Sequence, residues 1–189
     1  MPKFDKLLVL DIDETLVYAT KEKLERDEDF TVGPYAVYKR PGVDEFLTKC
    51  LDLFEVGVWT SASEDYATEV IDHLFDGKRE PSFLWTSDRC TKSYDYELQH
   101  LQYIKDIKKL KRKGYRKESI IIVEDSKEKM QRNYGNAILV GEYLGDRNDS
   151  ELSELLKYLE ELGSVEDVRA VDKLRWKKKT KSKGDYLSK

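Results

Sequence analysis

Four consecutive apolar residues, Leu7-Leu8-Val9-Leu10, run into two carboxylates on alternate positions, Asp11 and Asp13, and then into Thr15. A short apolar run without alternation suits a strand buried on both faces, the pattern of a central parallel strand. In open α/β sheets chemistry gathers outside the carboxyl ends of the strands, and Asp11 and Asp13 stand at such an end. Like charges a few ångströms apart raise each other's pKa, so the pair needs a shared proton or a cation. A divalent, oxygen-preferring metal such as Mg2+ relieves that repulsion and also attracts phosphate.

The chain downstream alternates strand and helix signals. Residues 16–39 read as a β-hairpin with a charged, mobile tip at 18–30, turned at Gly33-Pro34 and returning through the strand-like Tyr35 to Tyr38. Standing over the end of the first strand, it is either a flap on a site or an ordinary surface hairpin. Arg40-Pro41-Gly42 opens a helix whose Val43, Phe46, Leu47 and Cys50 recur at helical spacing. Residues 54–59 form a second strand ending in Thr60-Ser61, and 64–75 a helix with Tyr66, Ala67, Val70, Ile71 and Leu74 inward. A hydroxyl at a strand end facing a helix N-terminus can cradle a phosphate oxygen or simply cap the helix.

Residues 76–95 look irregular, with Phe83-Leu84-Trp85 as a short strand. Residues 96–113 read as a helix with Leu98, Leu101, Ile104, Ile107 and Leu110 on one face, closed by Gly114. Ser119 to Val123 is the most β-prone run of the chain and ends in a second acidic pair, Glu124-Asp125. Ala137 to Val140 is a further strand, and Asp149-Ser150 caps a helix over 151–162. Ser164 and Asp167 open a last short helix in a capping-box-like pattern, with Trp176 anchoring that end on the body.

At 189 residues the chain fits a single domain over 1–176, followed by a basic, disordered tail at 177–189. The charge is uneven. From Arg169 on there are nine Lys/Arg against two Asp/Glu, and with a net of -4 overall the rest stands near -11. No apolar run approaches the roughly 20 residues of a membrane span, and no signal-peptide core is expected. Two cysteines, Cys50 and Cys90, make no disulfide framework and fit free thiols of the cytoplasm, or the nucleus in a eukaryote. His73 and His100 have no ligand partners nearby, so a structural zinc site is not expected. The Lys177 to Lys181 run reads as solvated rather than as a nucleic-acid contact.

Alternating strands and helices imply an α/β fold, a mostly parallel sheet with helices on both faces. Strands ending at Leu10, Trp59 and Val123 would deliver Asp11/Asp13, Thr60/Ser61 and Glu124/Asp125 to one rim. That convergence points to metal-assisted phosphoryl chemistry.

These residues resemble the motifs of the haloacid dehalogenase superfamily. Asp11-Ile12-Asp13-Glu14-Thr15 fits its first motif, Thr60 its second, and Glu124-Asp125 its fourth. More narrowly, the chain resembles the phosphatases of the RNA polymerase II C-terminal domain, the FCP/SCP type that includes the NLI-interacting factor-like domain. The resemblance is carried by Lys39-Arg40-Pro41-Gly42-Val43-Asp44, Trp59 to Ala67, Tyr103-Ile104-Lys105-Asp106-Ile107, Asn148 to Leu152 and Glu166 to Arg169. It implies a three-layer Rossmann-like fold with a flap after the first strand and a small insertion at 76–103.

The resemblance also implies roles. Asp11 would be the nucleophile and Asp13 the general acid and base. Mg2+ would be held by Asp11, the Asp13 carbonyl and Asp125, with Glu124 in an outer position. Thr15, Thr60, Ser61 and Lys105 would bind phosphate, Lys105 also neutralising the nucleophile. Lys92 competes with Lys105 for that last part. Glu124 replaces the usual Asp, Lys127 stands where Pro is common, and Leu84-Trp85-Thr86 replaces a Leu-Phe-Arg run. Trp85, Tyr94, Tyr96 and Tyr103 either line a groove or fill the core. The expected function is a Mg2+-dependent phosphomonoester phosphatase, monomeric, acting on a phosphorylated substrate such as a phosphoserine or phosphothreonine protein. Small-molecule or nucleic-acid phosphates, or a non-catalytic phospho-ligand module, are the alternatives.

Overall fold

The computed structural model describes residues 1–95 and 99–177, apart from the side chains at 95 and 100. Tyr96 and the tail from residue 178 lie outside the described residues.

Five parallel strands form the central sheet in the order β10-β9-β1-β5-β6. They are β1 (Leu7–Leu10), β5 (Glu55–Trp59), β6 (Leu84–Trp85), β9 (Ile120–Glu124) and β10 (Ala137–Leu139). β1 lies between β5 and β9, with Leu10 opposite both Val58 and Val123. Successive side chains of a strand point to opposite faces, and the two packing clusters follow that parity. Leu8, Leu10, Val56, Val58, Ile121 and Val123 belong to one; Leu7, Val9, Ile120 and Ile122 to the other.

The first face is covered by three long helices, α1 (Val43–Leu53), α2 (Glu64–Leu74) and α4 (Glu151–Gly163). β1, β5 and β6 follow one another across the sheet, so crossovers of a single hand put α1 and α2 on the same face. α1 presents Val43, Phe46, Leu47 and Cys50, and α4 presents Leu152, Leu155, Leu159 and Leu162. Asp149 Oδ1 accepts the Glu151 N–H at 2.9 Å and so caps α4. The opposite face carries the five-residue α3 (Lys108–Arg112), a turn at Glu128–Met130 and an aromatic group. Trp85 meets Trp59 edge-on at 4.9 Å and Phe83 at 4.8 Å. Gly57 gives this group room, since a Cβ there would fall 2.3 Å from the Phe83 ring.

Three expectations are corrected. The segment at 16–39 is a three-stranded antiparallel sheet, not a two-stranded hairpin. β2 (Val17–Thr20) and β3 (Phe30–Val32) flank β4 (Tyr35–Lys39), because Phe30 and Val32 supply a third alternating strand. Residues 99–113, the described part of the segment expected as one helix over 96–113, are not one helix, and Leu98 of that expectation lies outside the described residues. β7 (Thr91–Asp95) and β8 (His100–Ile104) pair antiparallel, and among the described residues of the segment only α3 is helical. The three-residue spacing of Leu101, Ile104, Ile107 and Leu110 imitates a helix, but Leu101 is exposed and the other three come from a strand end, a turn and α3. Pairing with 91–95 overrides the local period. Finally, the terminal turn is Val168–Ala170, capped by Asp167, whose Oδ1 accepts the Arg169 N–H at 2.8 Å; Ser164 donates to Glu161 instead. Trp176 is buried and donates to the Leu139 carbonyl at 2.8 Å.

Candidate active site

The rim at the C-terminal ends of β1, β5 and β9 collects the charged groups. Asp11 continues the parity of Leu7 and Val9, and Glu124 that of Ile120 and Ile122. Both therefore project on the thinly covered face. The Asp11 N–H is tied to the Val123 carbonyl at 3.2 Å. Beyond it the chain turns sharply, and Glu14 takes a left-handed φ of 56°. That conformation is costly for a residue with a Cβ and gathers at functional turns. Tyr143 N–H donates to the Glu14 carbonyl at 2.7 Å and pins the turn.

Lys105 lies just after β8 and is fully buried. Its Nζ donates to Asp11 Oδ1 at 2.5 Å and to Glu124 Oε2 at 2.5 Å. Burial pulls an ammonium pKa down, but Asp11 and Glu124 outweigh it and Lys105 is held above its ordinary value. The loop is clipped in place: Lys105 N–H donates to the Lys129 carbonyl at 2.9 Å, and Asn133 donates to the Lys105 carbonyl. Lys92 is not part of this cluster. It sits exposed on β7, 5.9 Å from the Tyr103 ring centroid.

Asp13 is half-buried, and Tyr66 of α2 donates to its Oδ1 at 2.5 Å. Burial raises the Asp13 pKa and the Tyr66 bond opposes this, with the net shift upward. Glu14 is pushed up to about 7, chiefly by burial. Thr60 is buried at the end of β5. Its Oγ1 accepts the Ala62 N–H at 3.0 Å, which leaves the hydroxyl proton for another acceptor. Ser61, beside it in sequence, is half-buried. Thr15 Oγ1 is buried without a hydrogen-bond partner among the described residues. Of the groove candidates, Trp85 belongs to the core, Tyr103 packs against it, and Tyr94 is exposed.

Carboxylate oxygens of Asp11, Glu124 and Asp125 lie within 4.8 Å of one another. An all-oxygen, anionic donor set is what Mg2+ selects, so these residues fit the ion. Glu124 therefore stands among the carboxylates that could share an ion as well as against Lys105.

Sequence reasoning missed Lys129, whose Nζ lies 3.2 Å from Asp11 Oδ2, 3.1 Å from Glu124 Oε1 and 3.4 Å from Asp125 Oδ1. Its four-residue spacing from Asp125 was the available signal. Tyr66 was placed inward by its helical period, which says nothing about where a phenol hydroxyl ends. Arg40 was also missed: buried, it forms a two-pronged pair with Asp149 at 2.9 and 2.8 Å and donates to the Thr15 carbonyl at 3.1 Å. It thus ties the site turn to the start of α4.

The comparisons fit this geometry. The family described as NLI interacting factor-like phosphatase matches residues 6–169. The chain belongs to this family. It is 33% identical over 169 residues to "CTD small phosphatase-like protein 2" of Dictyostelium discoideum, covering 86% of this chain and 28% of that protein. It is 31% identical over 176 residues to human "Carboxy-terminal domain RNA polymerase II polypeptide A small phosphatase 1", covering 88% of this chain and 63% of the relative. The chain thus spans only part of the relatives' length. The solved structure of Fcp1, described as an essential RNA polymerase II CTD phosphatase, superposes with a TM-score of 0.65 at 17% identity, covering 84% of this chain and 62% of that one. That likeness carries the fold. Among the described residues no helix is long and apolar enough to cross a membrane.

Proposed function

We propose that this chain hydrolyses phosphomonoesters through an aspartyl-phosphate on Asp11, with phosphoserine or phosphothreonine in protein as the substrate class. The observation that carries this reading is the buried Lys105 ammonium, held 2.5 Å from both Asp11 and Glu124 beside a separately held Asp13. In the first step an Asp11 carboxylate oxygen forms a bond to phosphorus as the ester P–O bond breaks. Asp13, protonated, gives its proton to the leaving oxygen. In the second step Asp13 takes a proton from water, the water oxygen attacks phosphorus, and the bond to Asp11 breaks to release inorganic phosphate. The upward shift of Asp13 supports the acid role, and Tyr66 holds its carboxyl in place.

Lys105 offsets the negative charge on the nucleophile and the transferring group, and Thr60 and Thr15 offer hydroxyls to phosphate oxygens. Mg2+, when bound by Asp11, Asp125 and the Asp13 carbonyl, supplies further positive charge against the phosphoryl oxygens. A cleft of about 340 Å3 opens beside Asp13, lined by Ala19, Tyr35, Ala62, Ser63 and Tyr66. Its open, partly aromatic wall suits a side chain presented by a polypeptide, in keeping with the names of the relatives.

The test is phosphate release from p-nitrophenyl phosphate, then from a panel of phosphopeptides and phosphorylated metabolites. Release that needs Mg2+, favours phosphopeptides and disappears in Asp11→Asn is expected. Turnover persisting in that variant overturns the assignment of the nucleophile.

A further inference from the structure

The carboxylate oxygens at the rim divide between two lysines. Lys105 takes Asp11 Oδ1 and Glu124 Oε2. The other oxygen of each, Asp11 Oδ2 and Glu124 Oε1, faces Lys129, together with Asp125 Oδ1. These are the same three carboxylates whose oxygens converge closely enough to share a metal ion. A single ammonium lies within 3.1 to 3.4 Å of all three carboxylates that could hold a metal ion.

The two lysines differ in their freedom to leave. Lys105 is fully buried, its ammonium enclosed between Asp11 and Glu124. Lys129 keeps 20% of its side chain exposed and rides on the turn at Glu128–Met130. Its backbone carbonyl holds the Lys105 N–H, so the turn can stay fixed while the side chain swings out. Three carboxylates facing two ammonium groups also keep one net negative charge, which draws a further cation toward the cluster.

We propose that Lys129 is a tethered counter-cation that competes with Mg2+ for the carboxylates of Asp11, Glu124 and Asp125. This rests on the reading of Asp11 and Asp125 as metal ligands. Metal binding must then break the Lys129 contacts, and its apparent affinity is lowered by the strength of those contacts. The ammonium also holds the acidic rim together when cation is scarce. Activity would therefore rise over a higher range of Mg2+ concentration than the acidic cluster alone would set, which makes Lys129 a determinant of metal sensitivity.

Two measurements on the full chain test this. Mn2+ binding is followed by electron paramagnetic resonance and Mg2+ binding by titration calorimetry, in wild type, Lys129→Met and Lys129→Arg. Lys129→Met is expected to bind both ions about ten- to a hundredfold more tightly, the range set by charge-assisted contacts of this kind. Lys129→Arg, which keeps the charge, is expected to stay near wild type. In parallel, lysine acetylation is read by mass spectrometry. Adding Mg2+ should raise labelling of Lys129 several-fold and leave Lys105 protected. Unchanged or weaker metal affinity in Lys129→Met, or unchanged labelling of Lys129 at saturating Mg2+, overturns the proposal. Neither readout needs turnover, so the proposal can fail in an active phosphatase, and can hold in a chain that releases no phosphate.

Discussion

The two faces of the sheet are built on different principles. One is covered by α1, α2 and α4, whose apolar stripes meet Leu8, Leu10, Ile121 and Val123. Among the described residues the other has α3, a turn, and the Phe83, Trp59 and Trp85 aromatics, with Phe83 over Gly57. The thick face is a packing problem solved by periodicity. The thin face leads straight into the ionised cluster, because Asp11 and Glu124 share the parity of its apolar residues. Where helices are sparse, ions and aromatics close the structure, and that is where charged side chains can be buried against one another.

The sharpest break in this comparison is Lys105→Met. It leaves Asp11 and Glu124 buried against each other, and removing one partner of a buried pair costs about 3–5 kcal/mol. A lower urea midpoint is expected, together with a fall in turnover of about 10²–10³-fold, the scale of a lost electrostatic donor. On the thick face the counterpart is Leu155→Ala. Leu155 is fully buried, and the cavity should cost about 2–5 kcal/mol while turnover per folded molecule stays unchanged. A Leu155→Ala enzyme with lost turnover and an unchanged urea midpoint would erase the distinction.

Gly57→Ala probes the aromatic side of the thin face. The added methyl must move Phe83, and overpacking of this kind costs about 1–3 kcal/mol. Chemical denaturation and the tryptophan emission spectrum should shift together, since Trp85 packs on that ring and Trp59 on Trp85.

The smallest effect belongs to a surface carboxylate shared by two lysines on the thick side. Asp44, in the first turn of α1, bonds Lys78 and Lys39. Burial raises its pKa, the two lysines outweigh this, and the net shift is downward. With a folded value below the unfolded one, its contribution is present above roughly pH 4 and is lost as pH falls through the folded value. Asp44→Asn should cost no more than about 1 kcal/mol at neutral pH, less in high salt, and nothing in acid. A larger cost would mean that surface charge supports the thick face as buried charge supports the thin one.

The same contrast explains what could be read from the sequence. Leu7 to Leu10 and Ser119 to Val123 announce their strands, and Val43-Phe46-Leu47-Cys50 announces α1, because one-dimensional periodicity encodes burial on regular elements. The acidic ends of β1 and β9 follow from strand position alone. The 91–104 hairpin escaped, since its apolar spacing happens to suit a helix and only pairing decides. Lys129, Tyr66 and the Arg40–Asp149 pair escaped because their partners are set by tertiary geometry; Arg40 and Asp149 stand 109 positions apart. Lys105 was legible by resemblance, whereas its complete burial between two carboxylates was visible only in the fold.

The central claim is that Asp11 carries the phosphoryl group. Its most direct test is acid-quenched turnover of a phosphopeptide, reduction of the trapped acyl phosphate with borotritide, and sequencing of the labelled fragment. The account predicts tritium at position 11, with none in Asp11→Asn. Label at any other residue, or continued phosphate release with no acyl phosphate formed, would contradict it.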